Sequence, residues 1–154
     1  MRFHQVKELI DWAAGYHRVL AKQYASLARG DVGERVRMAL EHLAERERKQ
    51  AAELTRSLEQ EGGHSPVLEI WFDDADDFPH PPVLQRFPER IDCDSVQGVL
   101  ATALTAHRTL QDLYAHRVEL SAGSDERAFF ESLANDHDAE VRRLARDMQR
   151  LEDL

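Results

Sequence analysis

Hydrophobic side chains recur at alternating steps of three and four residues along four stretches of this chain. In the first stretch, the positions of this seam are Val6, Ile10, Ala13, His17, Leu20, Tyr24 and Leu27. Similar seams begin near Val36, Val96 and Phe130. Steps of three and four place side chains on one face of a helix, and they are typical of helices packed side by side. The pattern therefore predicts four amphipathic helices around a shared core.

Proline and glycine mark where these helices end. All five prolines fall between residues 64 and 94, and proline is excluded from helix interiors because it lacks an N–H group. Gly30 and Gly123 interrupt the two proline-free blocks. We therefore expect helices over about residues 3–29, 34–61, 95–121 and 125–152, with a long crossover over 62–94. This order predicts an all-α four-helix bundle that forms one domain over residues 1–154.

Each seam is interrupted near its middle by polar side chains that do not belong in a hydrophobic core. The interrupting residues are His17, Glu47, Gln50, His107, His137 and Glu140. A buried carboxylate without a partner is strongly unfavourable, so these groups must contact something. Because they fall at similar heights on the four helices, we expect them to meet at the centre of the bundle.

The two halves of the chain also match each other at a constant offset. His17 is followed seven residues later by Tyr24, and His107 is followed at the same interval by Tyr114. The stretches HRVLAKQYA and HRTLQDLYA, which begin at these two histidines, align without a gap. The same offset relates Glu47 to His137. The halves are therefore interpreted as an internal repeat about an approximate two-fold axis through the polar residues.

With these residues the chain resembles the ferritin-like superfamily, particularly its rubrerythrin-like members. In that family, helices one and three each provide a glutamate followed seven residues later by a tyrosine, and helices two and four provide Glu-x-x-His. These six ligands hold two iron or manganese ions. The corresponding positions in this chain are His17, Glu47, Gln50, His107, His137 and Glu140. Tyr24 and Tyr114 fall at the tyrosine positions, and Glu47 alone keeps the family's ligand type in its place.

The departures from that ligand set favour a different centre. Two carboxylates leave two positive charges uncompensated if two divalent ions bind, whereas three imidazoles with a carboxylate suit one transition-metal ion. Our first hypothesis is a mononuclear site for iron, zinc or manganese, and the resemblance implies an oxidoreductase that acts on oxygen or peroxide. The ligands are then His17, His107, His137, Glu47 and Glu140, with Gln50, Tyr24 and Tyr114 as hydrogen-bonding neighbours.

The second hypothesis needs no metal. The imidazoles can donate hydrogen bonds to the two carboxylates, while the tyrosines and Gln50 complete a buried network. The protein is then a helical scaffold or interaction module with a vestigial site. Both hypotheses stay open on sequence alone. Catalytic residues are not assigned, and whether the protein is an enzyme is also left open.

Composition narrows the range of partners. The chain of 154 residues has a formal net charge of −9, which disfavours binding to nucleic acid. It contains no apolar run long enough to cross a bilayer and no signal peptide, so we expect no membrane association. The single Cys93 excludes an intrachain disulfide framework, fits a reducing cytoplasm and is interpreted as a half-buried small residue before a helix. No substrate is indicated.

Trp71 and Phe72 are the large aromatic residues at one side of the predicted crossover. We interpret them as anchors that fix the crossover to the bundle, or as part of a dimer contact. A homodimer is therefore an expectation of the family resemblance rather than of any pattern in the sequence.

Overall fold

The computed structural model describes residues 3–60, 66–72 and 91–152, which contain four helices. Helix α1 spans Val6–Ala28, α2 spans Glu34–Gln60, α3 spans Val96–Leu120 and α4 spans Ser124–Glu152. The predicted four-helix bundle is confirmed, and each helix begins and ends within three residues of its predicted bound. Helix α1 begins later than expected because Gln5 is extended, with φ −125° and ψ 156°. Most of the predicted crossover lies outside the described residues.

The helices pack as two hairpins. Helix α1 lies mainly against α2, and α3 lies mainly against α4, while α2 also contacts both helices of the second hairpin. The largest fully buried side chains of the core include Leu9, Ile10, Leu20, Leu40, Leu43, Leu110, Leu113 and Phe130. Each buried side chain of this size stabilises the fold by about 2 kcal/mol. In the described part of the chain, no helix is both long enough and apolar enough to cross a membrane.

Residues 66–72 pack across the beginning of α1. The backbone N–H of Val6 donates to the carbonyl of Ile70 at 3.0 Å, and that of Lys7 donates to the carbonyl of Leu68 at 3.1 Å. The first N–H groups of a helix have no acceptor within the helix itself. The segment that follows α2 therefore supplies the acceptors that the first turn of α1 lacks.

The beginning of α3 is fixed by its own residues. The Ser95 hydroxyl accepts a hydrogen bond from the backbone N–H of Gly98 at 3.0 Å, as a helix N-cap does. Cys93 lies just before this cap and is half-buried, as predicted. Burial and the neighbouring Asp92 and Asp94 raise the pKa of its thiol, so the reactive thiolate form is disfavoured.

Phe72 and Trp71 have different environments, although the sequence suggested the same role for both. Phe72 is buried, with its ring centroid 6.5 Å from that of Phe130 in α4. The Arg117 guanidinium of α3 lies 4.2 Å from the Phe72 ring centroid. Trp71 pairs with Gln5 through its backbone, but its side chain is 68% exposed. The anchor interpretation is therefore confirmed for Phe72 and wrong for the side chain of Trp71.

This difference gives a test by substitution. We expect Phe72→Leu to lower the free energy of unfolding by about 1.5 kcal/mol, because it removes both the ring packing and the cation–π contact. Trp71→Leu is the matched control, and its effect should stay within about 0.5 kcal/mol because the side chain is mostly in solvent. Urea unfolding followed by circular dichroism measures both. Equal effects of the two substitutions would contradict the anchor role of Phe72.

Candidate functional site

The polar residues that interrupt the four seams do meet in the interior of the bundle. His17 of α1, Glu47 of α2, and His107 of α3 are at most 1% exposed. His137 and Glu140 of α4 are 3% and 2% exposed. All four helices therefore contribute an ionisable side chain to one buried cluster, which we call the polar ring. The prediction that these five residues are buried together is confirmed.

Glu47 is the centre of the hydrogen bonds in the polar ring. Its Oε2 accepts from Nδ1 of His17 at 2.5 Å, and its Oε1 accepts from Nε2 of His107 at 2.8 Å. Burial alone would raise the pKa of Glu47, but the charges and hydrogen bonds of His107 and His17 outweigh it and hold the pKa well below its ordinary value. Glu47 is therefore an ionised carboxylate that orients two imidazoles.

His107 continues this chain of contacts to α4. Its Nδ1 lies 3.2 Å from Nδ1 of His137, so one of these two nitrogens must hold a proton for them to hydrogen-bond. Burial would lower the pKa of His107, but the carboxylate of Glu47 raises it. Burial and the neighbouring His107 and His17 hold the pKa of His137 well below its ordinary value. The opposite shifts favour a proton on His107 over one on His137, so His107 is placed to donate to both Glu47 and His137.

The three imidazoles form a compact triangle. The ring centroid of His17 lies 6.1 Å from that of His107 and 5.7 Å from that of His137, and the His107 and His137 centroids are 5.3 Å apart. The Nε2 atom of His17 is buried and has no hydrogen-bond partner among the described atoms. With Nδ1 bonded to Glu47, Nε2 is the ring nitrogen left for another partner. This is the donor atom that a bound cation would use.

Glu140 is buried beside the imidazoles but is paired with arginine. Arg46 donates from Nε to Oε1 at 2.8 Å and from Nη2 to Oε2 at 2.5 Å, which is a bidentate pair. Arg143 adds a longer contact at 3.4 Å. The hydrogen bond and the charge of Glu140 also raise the pKa of Arg46. The charge of Glu140 is therefore compensated without a metal ion.

Arg46 is the functional neighbour that sequence reasoning missed. It lies in the run ERERK, which reads as an exposed helical face, and its neighbours Glu45 and Arg48 are indeed mostly exposed. The side chain of Arg46, in contrast, is only 14% exposed. Its position next to Glu47 was the only signal in the sequence, because a long side chain can reach inward from the edge of a buried face.

The residues expected to support the ring have mixed positions. Tyr24 and Tyr114 are fully buried, and the ring of Tyr114 lies 5.3 Å from that of His137. Among the described atoms, however, the hydroxyls of Tyr24, Tyr114 and Tyr16 have no hydrogen-bond partner. Burial raises the pKa of all three phenols, so they remain neutral donors. Gln50 is half-buried and takes no part in the hydrogen bonds of the ring.

The dinuclear centre of the ferritin-like family does not fit these residues. It needs carboxylates that bridge two ions, but Glu140 is held by Arg46, and α1 and α3 offer imidazoles in place of carboxylates. Within the described residues, no three His, Cys, Asp or Glu side chains already surround a common point suited to a metal ion. The ring contains three imidazoles and a carboxylate, as a site for one metal ion can, but these side chains hydrogen-bond to one another.

Comparison of the chain with models of protein families, with characterised proteins and with solved structures finds no match.

Proposed function

We propose that this protein is a ferritin-like four-helix bundle that binds one transition-metal ion at its centre through imidazole nitrogens. The observation that supports it best is the pair of buried Nδ1 atoms of His107 and His137, 3.2 Å apart. Two imidazole ligands of one ion, each about 2.1 Å from it, have their nitrogens at a similar separation. The unpartnered Nε2 of His17 provides a third donor on the neighbouring helix.

In this proposal Glu47 orients the ligands and balances charge. A metal-bound histidine usually donates its second ring N–H to a carboxylate, which fixes its tautomer and orientation. Glu47 accepts such bonds from Nδ1 of His17 and Nε2 of His107, so the opposite nitrogen of each ring is left for the ion. His137 presents Nδ1 to the same region as a neutral base. Binding therefore replaces the proton between His107 and His137.

Charge supports one ion rather than two. Glu140 is already neutralised by Arg46, so Glu47 is the carboxylate left to offset added positive charge. One divalent ion leaves a single uncompensated charge, which a bound hydroxide can balance. A second ion would leave three buried positive charges, and burying uncompensated charge is strongly unfavourable. We assign the ligand role to His17, His107 and His137, with Glu47 beside them.

A bound iron or manganese ion would supply one-electron chemistry toward oxygen or peroxide, and zinc would supply a Lewis acid. The chain's own contribution is a buried site in which Glu47 positions two imidazoles. The neutral hydroxyls of Tyr16, Tyr24 and Tyr114 are buried donors without a described acceptor.

Elemental analysis tests the proposal. Protein purified without an affinity tag is exposed separately to Fe²⁺, Mn²⁺ and Zn²⁺, desalted and analysed. We expect about one equivalent of one of these metals in the unaltered protein, and a loss of about tenfold or more in His17→Ala/His107→Ala, because both oriented donors are removed. His42→Ala/His116→Ala removes two histidines outside the ring and is the matched control. Two equivalents of metal, or equal loss in both variants, would contradict a mononuclear site at the ring.

The second candidate is a metal-free scaffold, and the closed charge balance of the ring favours it. A protonated His107 neutralises Glu47, and Arg46 neutralises Glu140, so the ring needs no further cation. The two candidates differ in their response to a chelator. If metal is bound, a chelator at neutral pH lowers the midpoint of thermal unfolding, whereas the midpoint of a metal-free scaffold is unchanged.

A further inference from the structure

A cationic groove lies on the first helical hairpin, between α1 and α2. It has a volume of about 1030 Å³, and none of the polar-ring residues line it. Among the residues that the structure describes, five cationic side chains line it and Glu59 is the only acidic one. The five cations are Arg18, Lys22, Arg29, Arg48 and Arg56. In a protein with a net charge of −9, this concentration of positive charge requires an explanation.

The groove has two cationic ends and a floor of small residues. Nη2 of Arg18 donates to Oγ1 of Thr55 at 2.5 Å, which fixes how α1 and α2 lie side by side. Because the hairpin is antiparallel, Arg56 falls near Arg18 at one end, and Arg29 and Arg48 fall near the other. At 1.5 Å per residue, the two ends are about 12–16 Å apart. Alanines line the space between them, at positions 21, 25, 51 and 52.

Charge is distributed unevenly between the halves of the chain. In residues 1–60, Lys and Arg exceed Asp and Glu by two, whereas in residues 61–154 Asp and Glu exceed Lys and Arg by eleven. The cationic groove therefore belongs to the one part of the chain with a positive balance.

The internal repeat provides a comparison surface on the second hairpin. The positions that correspond to Lys22, Arg29 and Arg48 are Asp112, Glu119 and Asp138, so the charge is reversed at three places. The positions that correspond to the floor alanines at 21, 51 and 52 hold Gln111, Val141 and Arg142, so the floor is filled. Arg108 and Arg146 keep the charge of Arg18 and Arg56, so the full set of five cations is found on the first hairpin only. Neither the internal repeat nor the need for charged residues on a solvent-exposed surface accounts for this set of cations.

We propose that this groove binds an acidic amphipathic helix of a partner protein. Small residues on a helix surface allow another helix to approach closely, and the floor alanines offer such a surface between the two cationic ends. Lys22 follows Arg18 by four residues, and Arg56 follows Arg48 by eight, so each row of cations repeats at the spacing of helical turns. The partner helix would carry a narrow apolar stripe, with Asp or Glu at steps of three and four on both sides of it. Such a helix places its carboxylates against both rows of cations.

The probe is a labelled alanine-based peptide of about 15 residues with glutamates at steps of three and four on both sides of its apolar stripe. Fluorescence anisotropy measures its Kd at two salt concentrations. We expect saturable binding that weakens with salt. Lys22→Glu/Arg48→Glu should raise the Kd about tenfold or more, because it reverses one cation in each row. Arg108→Glu/Arg146→Glu makes the same change of net charge on the second hairpin, and its Kd should stay within about twofold. Circular dichroism checks that each variant is folded.

The shape of the groove is tested separately from its charge. Ala52 is exposed, and the corresponding position on α4 is Arg142, so a larger side chain at this place on the helix surface is tolerated. Ala52→Leu should raise the peptide Kd about tenfold by filling the floor without a change of charge.

Three outcomes would overturn the proposal. The first is equal binding of a peptide with glutamine in place of glutamate. The second is binding of inorganic pyrophosphate in the groove without binding of the peptide, which would identify a small-anion site. The third is self-association in sedimentation that Lys22→Glu/Arg48→Glu abolishes, since a second copy of the chain would then occupy the groove.

Discussion

Replacement of Arg46 by methionine is expected to lower the free energy of unfolding of the metal-free protein by about 4 kcal/mol. The reason is the environment of Glu140, which is 2% exposed and receives two hydrogen bonds from Arg46. Removing Arg46 takes away the bidentate partner of a buried carboxylate and leaves it only the longer 3.4 Å contact of Arg143. Methionine keeps much of the arginine stem's volume, so the loss is electrostatic rather than a cavity effect. Urea unfolding of chelator-treated protein measures it.

A double-substitution cycle identifies the cause. Arg46→Met/Glu140→Gln should recover more than half of the lost stability, because a neutral amide needs no counter-charge. Arg48→Met is the control, since Arg48 lies two residues away and pairs with Glu45 in solvent. Its effect should stay within about 0.5 kcal/mol. If Arg46→Met behaves like Arg48→Met, the Arg46–Glu140 pair does not stabilise the bundle.

Acidification is expected to destabilise the metal-free protein below pH 6.5, and His137 is the principal cause. Its pKa is held well below its ordinary value of 6.5 by burial first and by His107 and His17 second, while Glu47 opposes this shift. As the pH falls below 6.5, the unfolded chain binds a proton at His137 and the folded chain does not. Each pH unit over which the folded chain leaves His137 unprotonated then costs up to about 1.4 kcal/mol of stability.

The other shifted groups of the ring act in different pH ranges. The pKa of His107 is raised, so its contribution to stability is fully present below pH 6.5 and is lost as the pH rises through the folded pKa. The pKa of Glu47 is lowered, so its contribution is present above the ordinary value of 4.5 and is lost as the pH falls below it. The interval between pH 6.5 and 4.5 therefore separates the effect of His137 from those of His107 and Glu47.

His137→Gln tests this assignment, since an amide does not titrate and can still hydrogen-bond. Between pH 6.5 and 4.5, we expect the free energy of unfolding of this variant to change much less with pH than that of the unaltered protein. His42→Gln removes a half-exposed histidine that pairs with Asp147, and it should leave the original slope in place. Unfolding by urea at several pH values gives the slopes. Equal slopes for His137→Gln and the unaltered protein would show that the proton is bound elsewhere.

The amino-acid sequence by itself determined the four helices and the residues of the interior. Hydrophobic periodicity decides which face of a helix is buried, and proline and glycine decide where the helix ends. These signals are local, so they predicted the helix bounds to within three residues and the burial of His17, Glu47, His107, His137 and Glu140. The same periodicity could not tell apart the neighbours Trp71 and Phe72, because both lie outside the helices.

Only the tertiary structure decided which polar atoms are paired. Helical spacing places a side chain to within several ångströms, whereas a hydrogen bond or a ligand position is decided within about half an ångström by rotamers and by neighbouring helices. For this reason the sequence placed Glu140 among the candidate ligands, but the reach of Arg46 across from α2 neutralises it. The carboxylate of Glu47 is instead the group that joins the imidazoles of α1 and α3, because both helices contact α2.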